Sequence, residues 1–475
     1  MRLFLLSRLL SKKEKLVLSV TFLILVAMLI IKSVSYYHYL TKIVPEVGGV
    51  YSEGMVGQPE FINPILSTSE NDKTVDSLIY QGLVSLDNTN QAIPNLATSF
   101  EVSPDQKSYT FHLRSGVIWQ DGNVFTSADV LYTFNLIKDP ATKSPYFDNF
   151  KDVLVEAPDP QTIKLSLKTP YGPFITNLDV GIIRQGTDMS QLNNHPVGTG
   201  QYSYLNSTTK GGKIQSLIFE RNEGYWGDKP YLKRVEFKYY DSAGQLANIF
   251  EQEDISAMSA DSKRVNTVKI NYQTSASVNL IFNLRQPPFN DENLRKAIKT
   301  GQKSTQEAKF DLLVADSPEL VRAADGFKDQ MAPLGYTVSV QVAKENDLKD
   351  AITKKTFQTL VIGIDFGHDP DPYSLWHSSQ EATGLNLAGF SDKSADILLE
   401  DARLLSDPTA RQAKYDQFFK ILDDRAIQIV LEKKSYILSV DNKIKDVSAT
   451  GALTPPEHLR DIGKWYIETK RVKKP

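Results

Sequence analysis

A chain of 475 residues is too long for one ordinary compact core, so two or more packed units are expected. Its 41% hydrophobic and 23% charged residues suit a protein that folds largely in water, and 54 Lys plus Arg against 57 Asp plus Glu leave a net charge of −3, without the basic footprint of a nucleic-acid binder. The absence of cysteine excludes disulfides, thiolate zinc sites, iron–sulfur clusters and a lipid-modified cysteine.

The N-terminal segment, residues 1–15, is basic: Arg2, Arg8, Lys12, Lys13 and Lys15 stand against Glu14 alone. The uncharged run LVLSVTFLILVAMLII follows at 16–31, and the tyrosines of SVSYYHYL extend it. This pattern predicts a transmembrane helix or signal anchor over 16–38, with Lys32 snorkelling toward the far interface. The positive-inside bias then keeps 1–15 in the cytoplasm and exports the bulk of the chain. The alternative is a cleaved signal peptide, with Ser33 and Ser35 as small residues before Tyr36. Against it, the apolar run is longer than the roughly 7–15 residues usual for such a segment.

Beyond the apolar run, period-two alternation predicts strands at 108–116, 162–169 and 235–240. The stretch TSADVLYTFNLIKD (126–139) opens on a capping residue and places Val130, Phe134 and Ile137 on one face, predicting an amphipathic helix. Further helices are expected at 242–254, 319–335, 394–407 and 409–426, with Gly335 as a C-cap. YTVSVQVA (336–343) alternates as a strand, while FQTLVIGIDF (357–366) is nearly continuous in apolar residues, as for a strand covered on both faces. The two prolines of QPPFND (286–291) mark a boundary, so two lobes with a cleft between them are expected.

Common catalytic signals are missing. The chain has no HExxH, P-loop, GxGxxG or GxSxG pattern, and none of its six histidines are spaced for a helical metal pair. What remains is IGIDFGHDPDPYSLW (362–376), with Asp365, His368, Asp369 and Asp371 in seven positions. Such a cluster can be a structural turn, a contact for a cationic ligand, or a metal or acid/base centre. Asp365 stands apart because it ends an apolar strand, where α/β sheets present ligand groups to a crevice.

From 78 to 134 the blocks LIYQGLVSLD and AIPNLATSFEVSPDQKSYTFHLRSGVIWQDGNVFTSADVLYTF resemble the peptide/nickel-type extracellular solute-binding proteins of ABC transporters, family 5. The later blocks HPVGTGQYSY, FERNEGYWGDKPYLKRVEFKYY, NLIFNLRQPPFNDENLRKAI and DPDPYSLWHSSQ follow in the same order, so the resemblance runs from about Gly48 onward. It implies an α/β, two-lobed periplasmic-binding-protein-like fold of type II, cluster C. Lobe I with its extra subdomain would occupy 45–285, completed by about 440–470. Lobe II would occupy 286–440, and 471–475 would form a basic tail. In such proteins an extended peptide pairs with a strand from each lobe, and an aspartate after the second-lobe strand receives its α-ammonium.

The matching acid here is Asp365, with Asp369 as the alternative, and the matching strand contains Gly363 and Ile364. Trp119, Trp376, Asn63 and Glu53 complete the implied ligand-binding set, the two tryptophans being core or cleft lining. The implied partners are a peptide or other small solute, an ABC permease and the membrane around the N-terminal helix. A monomer with no cofactor, no metal and no catalytic activity is expected. The sequence departs from the family pattern where LRKAI leads almost directly through KTGQKSTQ to KFDLLVAD, which predicts a shortened lobe II. The competing classes are a membrane-anchored sensor or scaffold with a degenerate cleft for a protein partner, and a metal-dependent hydrolase centred on Asp365, His368, Asp369 and Asp371.

Overall fold

The computed structural model describes residues 11–252, 255–304, 308–368, 370–382 and 384–474. It begins with α1 (Lys12–Leu40), a 29-residue helix whose start is closed by a capping box between Ser11 and Glu14. At 1.5 Å per residue α1 is about 43 Å long, and none of its residues is buried against the rest of the chain. It is long and apolar enough to cross a membrane, and it sits near the N-terminus. It leads without a linker into β1 (Thr41–Pro45), which pairs antiparallel with β18 (Thr469–Lys473).

Past β2 (Val50–Val56) come a short hairpin, β3 (Val84–Leu86) with β4 (Ala92–Pro94), and a four-stranded antiparallel sheet. The latter holds β5 (Ala97–Val102), β6 (Ser108–Leu113), β7 (Leu154–Asp159) and β8 (Thr162–Ser166), in the order β5-β6-β8-β7. The helix Ser127–Lys138 joins the core beneath it, where Val130, Phe134 and Ile137 are fully buried with Phe111, Trp119 and Phe174.

The main sheet has ten strands. It comprises β2, β9 (Tyr202–Lys210), β10 (Lys213–Arg221), β11 (Arg234–Tyr240), β12 (Ala257–Met258), β13 (Thr267–Phe282), β14 (Ala308–Ala315), β15 (Tyr336–Ala343), β16 (Thr359–Asp365) and β17 (Gln428–Asp441). Their order is β15-β14-β16-β13-β17-β12-β2-β11-β10-β9. Two strands are unusually long, β13 with 16 residues and β17 with 14. The first half of β13 pairs with the last half of β17, from Thr267↔Asp441 to Gln273↔Ser435. Its second half lies between β17 and β16.

The two halves serve different cores. One contains Tyr51, Phe219, Phe237, Leu438, Val440 and Trp465; the other contains Val278, Leu280, Phe282, Phe310, Leu312 and Val361. Full burial of each such side chain contributes roughly 1.5–3 kcal/mol, so the cores hold the strand ends firmly. Between them the register slips: Gln273 faces Ser435 while Ser277 faces Lys433. The irregularity is stitched by Thr274, whose Oγ1 donates to the Lys434 carbonyl at 3.0 Å, and by the Ser275 amide, which donates to Leu453 at 3.1 Å.

The expected elements form with their bounds trimmed by a few residues: strands β6, β8, β11, β15 and β16, and helices at Ser127–Lys138, Ala243–Glu251, Pro318–Met331, Lys393–Arg403 and Pro408–Asp424. Gly335 takes the left-handed conformation expected of a cap, with φ 86°. Only residues 300–307 separate the helix Glu292–Lys299 from β14.

Close backbone approach, not turn geometry, explains Gly198. A Cβ there would lie 1.8 Å from the Ile79 carbonyl oxygen, whereas Gly244, in the helix Ala243–Glu251, has nothing within 4 Å. Gly198→Ala is expected to lower stability by about 1–3 kcal/mol through overpacking, and Gly244→Ala to be neutral or stabilising by about 0.5–1 kcal/mol. Urea denaturation of the two variants beside the parent measures this, and equal midpoints for both would contradict the packing.

Candidate functional site

β16 carries the site because its two edges are covered unequally. On one side β13 pairs with its whole length, from Phe282↔Thr359 to Ala276↔Asp365. On the other side β14 pairs only as far as Val314↔Val361, so residues 362–365 have no strand beside them among the described residues. An uncovered edge presents unpaired N–H and C=O groups to an added strand. Ile364 is buried while Gly363 and Asp365 are exposed, and a Cβ built on Gly363 would meet no atom within 4 Å.

Asp365 closes this edge. Its Oδ1 accepts from Ser275 Oγ and from the Gly367 amide at 2.9 Å, so one oxygen holds the turn to the crossing of the long strands. Its Oδ2 has no partner among the described residues.

Past the turn, His368 reaches to the segment that precedes β18. Its Nε2 lies 2.7 Å from Glu457 Oε1, and its Nδ1 is 3.3 Å from Asn90 Oδ1. Glu457 is fully engaged: it also pairs with Arg460 at 2.9 Å and accepts the amides of Leu453 at 2.6 Å and Thr454 at 3.0 Å. Burial opposes the charge on both partners. The contact with Glu457 and the field of Asp179 nevertheless raise the His368 pKa above its ordinary 6.5. Against the same burial cost, His368 and Arg460 take the Glu457 carboxyl down to about 2.

The ion pair divides two cavities. A smaller one of ≈ 280 Å³ has a mainly apolar wall, with Phe100, Val102, Tyr109, Ile175 and Tyr415, and His368 at its edge. A larger one of ≈ 540 Å³ is polar, with Gln81, Asp179, Tyr225, Arg460 and Lys464, and Glu457 at its edge. Asp365 lines neither, but lies on the strand leading to His368.

Beyond His368, Pro370, Asp371 and Pro372 run without regular structure into the short helix Tyr373–Trp376. Asp371 is held by Arg403, whose Nη2 lies 2.8 Å away and whose guanidinium stacks 3.7 Å over the Tyr373 ring. It also accepts from Tyr171 Oη at 3.2 Å and from the Tyr373 amide at 3.1 Å. Asp369 lies outside the described residues.

Four implied contacts do not face a cleft. Trp376 is 1% exposed and packs with Phe390, Tyr415 and Phe418. Trp119, equally buried, donates its indole N–H to Asp129 at 3.3 Å. Asn63 spends its side chain and carbonyl on its own turn, accepting from the amides of Ile65, Leu66 and Ser67. Glu53 is wholly buried on β2, where its carboxylate takes Tyr51 Oη and His458 Nε2, each at 2.9 Å, and Ser259 Oγ at 3.2 Å. In this structure these four side chains are buried. Glu457, conversely, gives no ligand signal in the sequence, because Thr454-x-x-Glu457 reads as a capping box, and it is one.

Because folding raises the His368 pKa, the pair's contribution to stability is complete below about 6.5 and is lost as pH rises through the raised value. On the acid side Glu457 contributes above 4.5 and loses its contribution as pH falls toward 2. His368→Gln is therefore expected to cost about 1–3 kcal/mol near pH 6, with a difference from wild type that shrinks toward pH 9. Thermal unfolding across that range measures it, and a constant difference would contradict the charged pair.

Comparison with known proteins fits this geometry. Residues 91–302 match the family "Bacterial extracellular solute-binding proteins, family 5 Middle". The chain is 24% identical to the probable D,D-dipeptide-binding periplasmic protein DdpA of Escherichia coli, over 82% of this chain and 90% of that one. It is 22% identical to the oligopeptide-binding protein AppA of Bacillus subtilis, over 89% and 92% respectively; that alignment runs to 512 residues, so AppA carries insertions relative to this chain. The solved structure of AppA in complex with a nonapeptide superposes with a TM-score of 0.70 at 19% identity, covering 90% of this chain and all of that one. The relatives are binding proteins, and the two-lobed fold is shared with them. Over residues 91–302 the chain is similar to the bacterial extracellular solute-binding proteins, family 5, and over 90% of its length it shares the fold of the oligopeptide-binding protein AppA.

Proposed function

We propose that the chain is the extracytoplasmic receptor of an ABC importer, tethered to the membrane by α1, and that it captures a peptide or similar ammonium-bearing solute along the free edge of β16. The observation that carries this reading is the edge itself: four residues paired with β13 on one side and, among the described residues, with no strand on the other, ending on an exposed aspartate with one oxygen that has no partner there. A peptide laid there satisfies the edge's N–H and C=O groups and places its α-ammonium at Asp365 Oδ2. Enclosing that ammonium without an anion would cost several kcal/mol. That the relative AppA has been captured with a nonapeptide supports a peptide ligand.

Lobe I is then formed by 45 to about 273 with about 435–470, and lobe II by about 277–433, so that the border falls inside β13 and β17 and not at 285 and 440, with His368–Glu457 and Tyr171–Asp371 joining the two. The short 300–307 connection makes lobe II smaller than in longer relatives. Tethering by α1 keeps the receptor at high effective concentration near a membrane permease, to which it delivers the solute. The bulk of the chain, as a monomer, works on the extracytoplasmic side.

A peptide present at 100 times its Kd stabilises the native state by about 2.7 kcal/mol, so thermal unfolding of the full chain in detergent against short peptides is a direct screen. Free-amine peptides are expected to raise the Tm of wild type. Asp365→Asn, and N-acetylation of the same peptides, should each weaken binding by about tenfold or more, a charge-assisted contact being lost. If no peptide moves the Tm of a cooperatively folding chain, or if acetylation makes no difference, the ammonium-clamp reading fails.

A further inference from the structure

The ribbon at the exit of α1 is rich in exposed cations. β1 follows Leu40 immediately, and β18 returns beside it in antiparallel register, Thr41↔Lys473 to Pro45↔Thr469. The pairing is extended to the helix itself, since the Lys474 amide donates to the Leu40 carbonyl at 2.8 Å. Within these two strands and their flanks stand Lys42, Lys470, Arg471, Lys473 and Lys474, all exposed, against Glu46 and Glu468. Glu46 meets Lys470 at 3.6 Å.

Two of the cations lean back onto the helix end. Arg471 donates to Thr41 Oγ1 at 3.0 Å and sits 5.8 Å from the Tyr37 ring centroid; Lys474 Nζ lies 5.4 Å from that of Tyr39. Tyr36, Tyr37 and Tyr39 are 64%, 53% and 72% exposed, and amphipathic rings of this kind settle at the headgroup level of a bilayer. With the span over 16–38, about 34 Å at 1.5 Å per residue, Tyr36, Tyr37 and Tyr39 fall at the far interface and the start of the ribbon lies just past it.

We propose that the β1–β18 ribbon is a basic collar that binds anionic phospholipid headgroups on the extracytoplasmic face, so that the receptor is seated against the bilayer and not hung from a swivelling anchor. The proposal rests on α1 being a retained membrane span. Its physical basis is charge complementarity at a fixed depth. The backbone pairing holds four cations of the returning strand within about 13 Å of the helix end, Lys473 and Lys474 nearest it, where each attracts acidic lipid. Because β18 comes from the far end of the sequence, the collar joins both ends of the folded body to the membrane surface.

The absence of cysteine makes the test clean. Ile43, 58% exposed on β1 and paired with Arg471, is replaced by cysteine and labelled with a fluorophore in the otherwise full-length chain, reconstituted into lipid nanodiscs carrying a headgroup-linked quencher. Quenching is expected to be at least about twofold stronger in discs containing phosphatidylglycerol than in purely phosphatidylcholine discs. The excess should disappear at about 1 M salt, where the screening length is about 3 Å, and in a variant combining K470Q, R471Q, K473Q and K474Q. Equal quenching in both disc types, or an excess that survives salt, overturns the collar while leaving the anchor intact. The salt arm needs no variant, so misfolding of the quadruple substitution leaves the test in force. A chain that fails to co-elute with the discs overturns the anchor, and the collar with it.

Discussion

Two strands, β13 and β17, run without interruption from one hydrophobic core into the other, and the site exists because of where they cross. Each strand end is locked by buried side chains, Leu438 and Val440 on one side, Val278, Leu280 and Phe282 on the other. Neither core reaches the middle, which is polar: Thr274, Ser275 and Ser277 in β13, and Glu432, Lys433, Lys434 and Ser435 in β17. With the register slipped there, the ladder is least regular between the two cores, which is where a rotation of one lobe on the other would cost least. Bending elsewhere would have to break a packed core.

Polar contacts tie this crossing to the ligand groups. Ser275 donates to Asp365 and its amide to Leu453; the Leu453 amide donates to Glu457, which holds His368. The exposed carboxylate, the free strand edge and the ion pair that divides the cavities are therefore one connected unit. A change at the crossing is felt at Asp365 within one hydrogen bond, and at His368 through the Leu453–Glu457 segment. On the proposed reading, a ligand on the edge of β16 would act on the same few groups that join the two cores.

Much of the fold was legible in the sequence. Strands with clean alternation, such as 336–343, and helices with a capping residue before an apolar stripe, such as 126–139, form where local pattern and tertiary demand agree. The long strands β13 and β17 are not among the expected elements, because the polar TSAS and EKKS interrupt their apolar pattern and the strands pair with each other across about 150 positions or more. Asp365 does end an apolar strand, as its sequence context implies, and is exposed there. Its companion Glu457 was not recognisable, being 92 positions away in the chain and disguised as a helix cap. Glu53, Asn63, Trp119 and Trp376 show the opposite error: polar or aromatic side chains that look available in a sequence are here consumed by buried partners.

The account stands on β16 being a docking edge and not merely a short strand whose neighbour ran out. Hydrogen exchange reports on those amides directly. In the free receptor the outward-facing amides of residues 362–365 have no ladder partner and should exchange rapidly, while those toward β13 are protected. Adding a peptide that raises the Tm should slow the outward-facing amides by at least about tenfold, with little change in β14 or β15. Unchanged exchange at 362–365 in the presence of a stabilising peptide would contradict strand addition, and would place the ligand somewhere other than this edge.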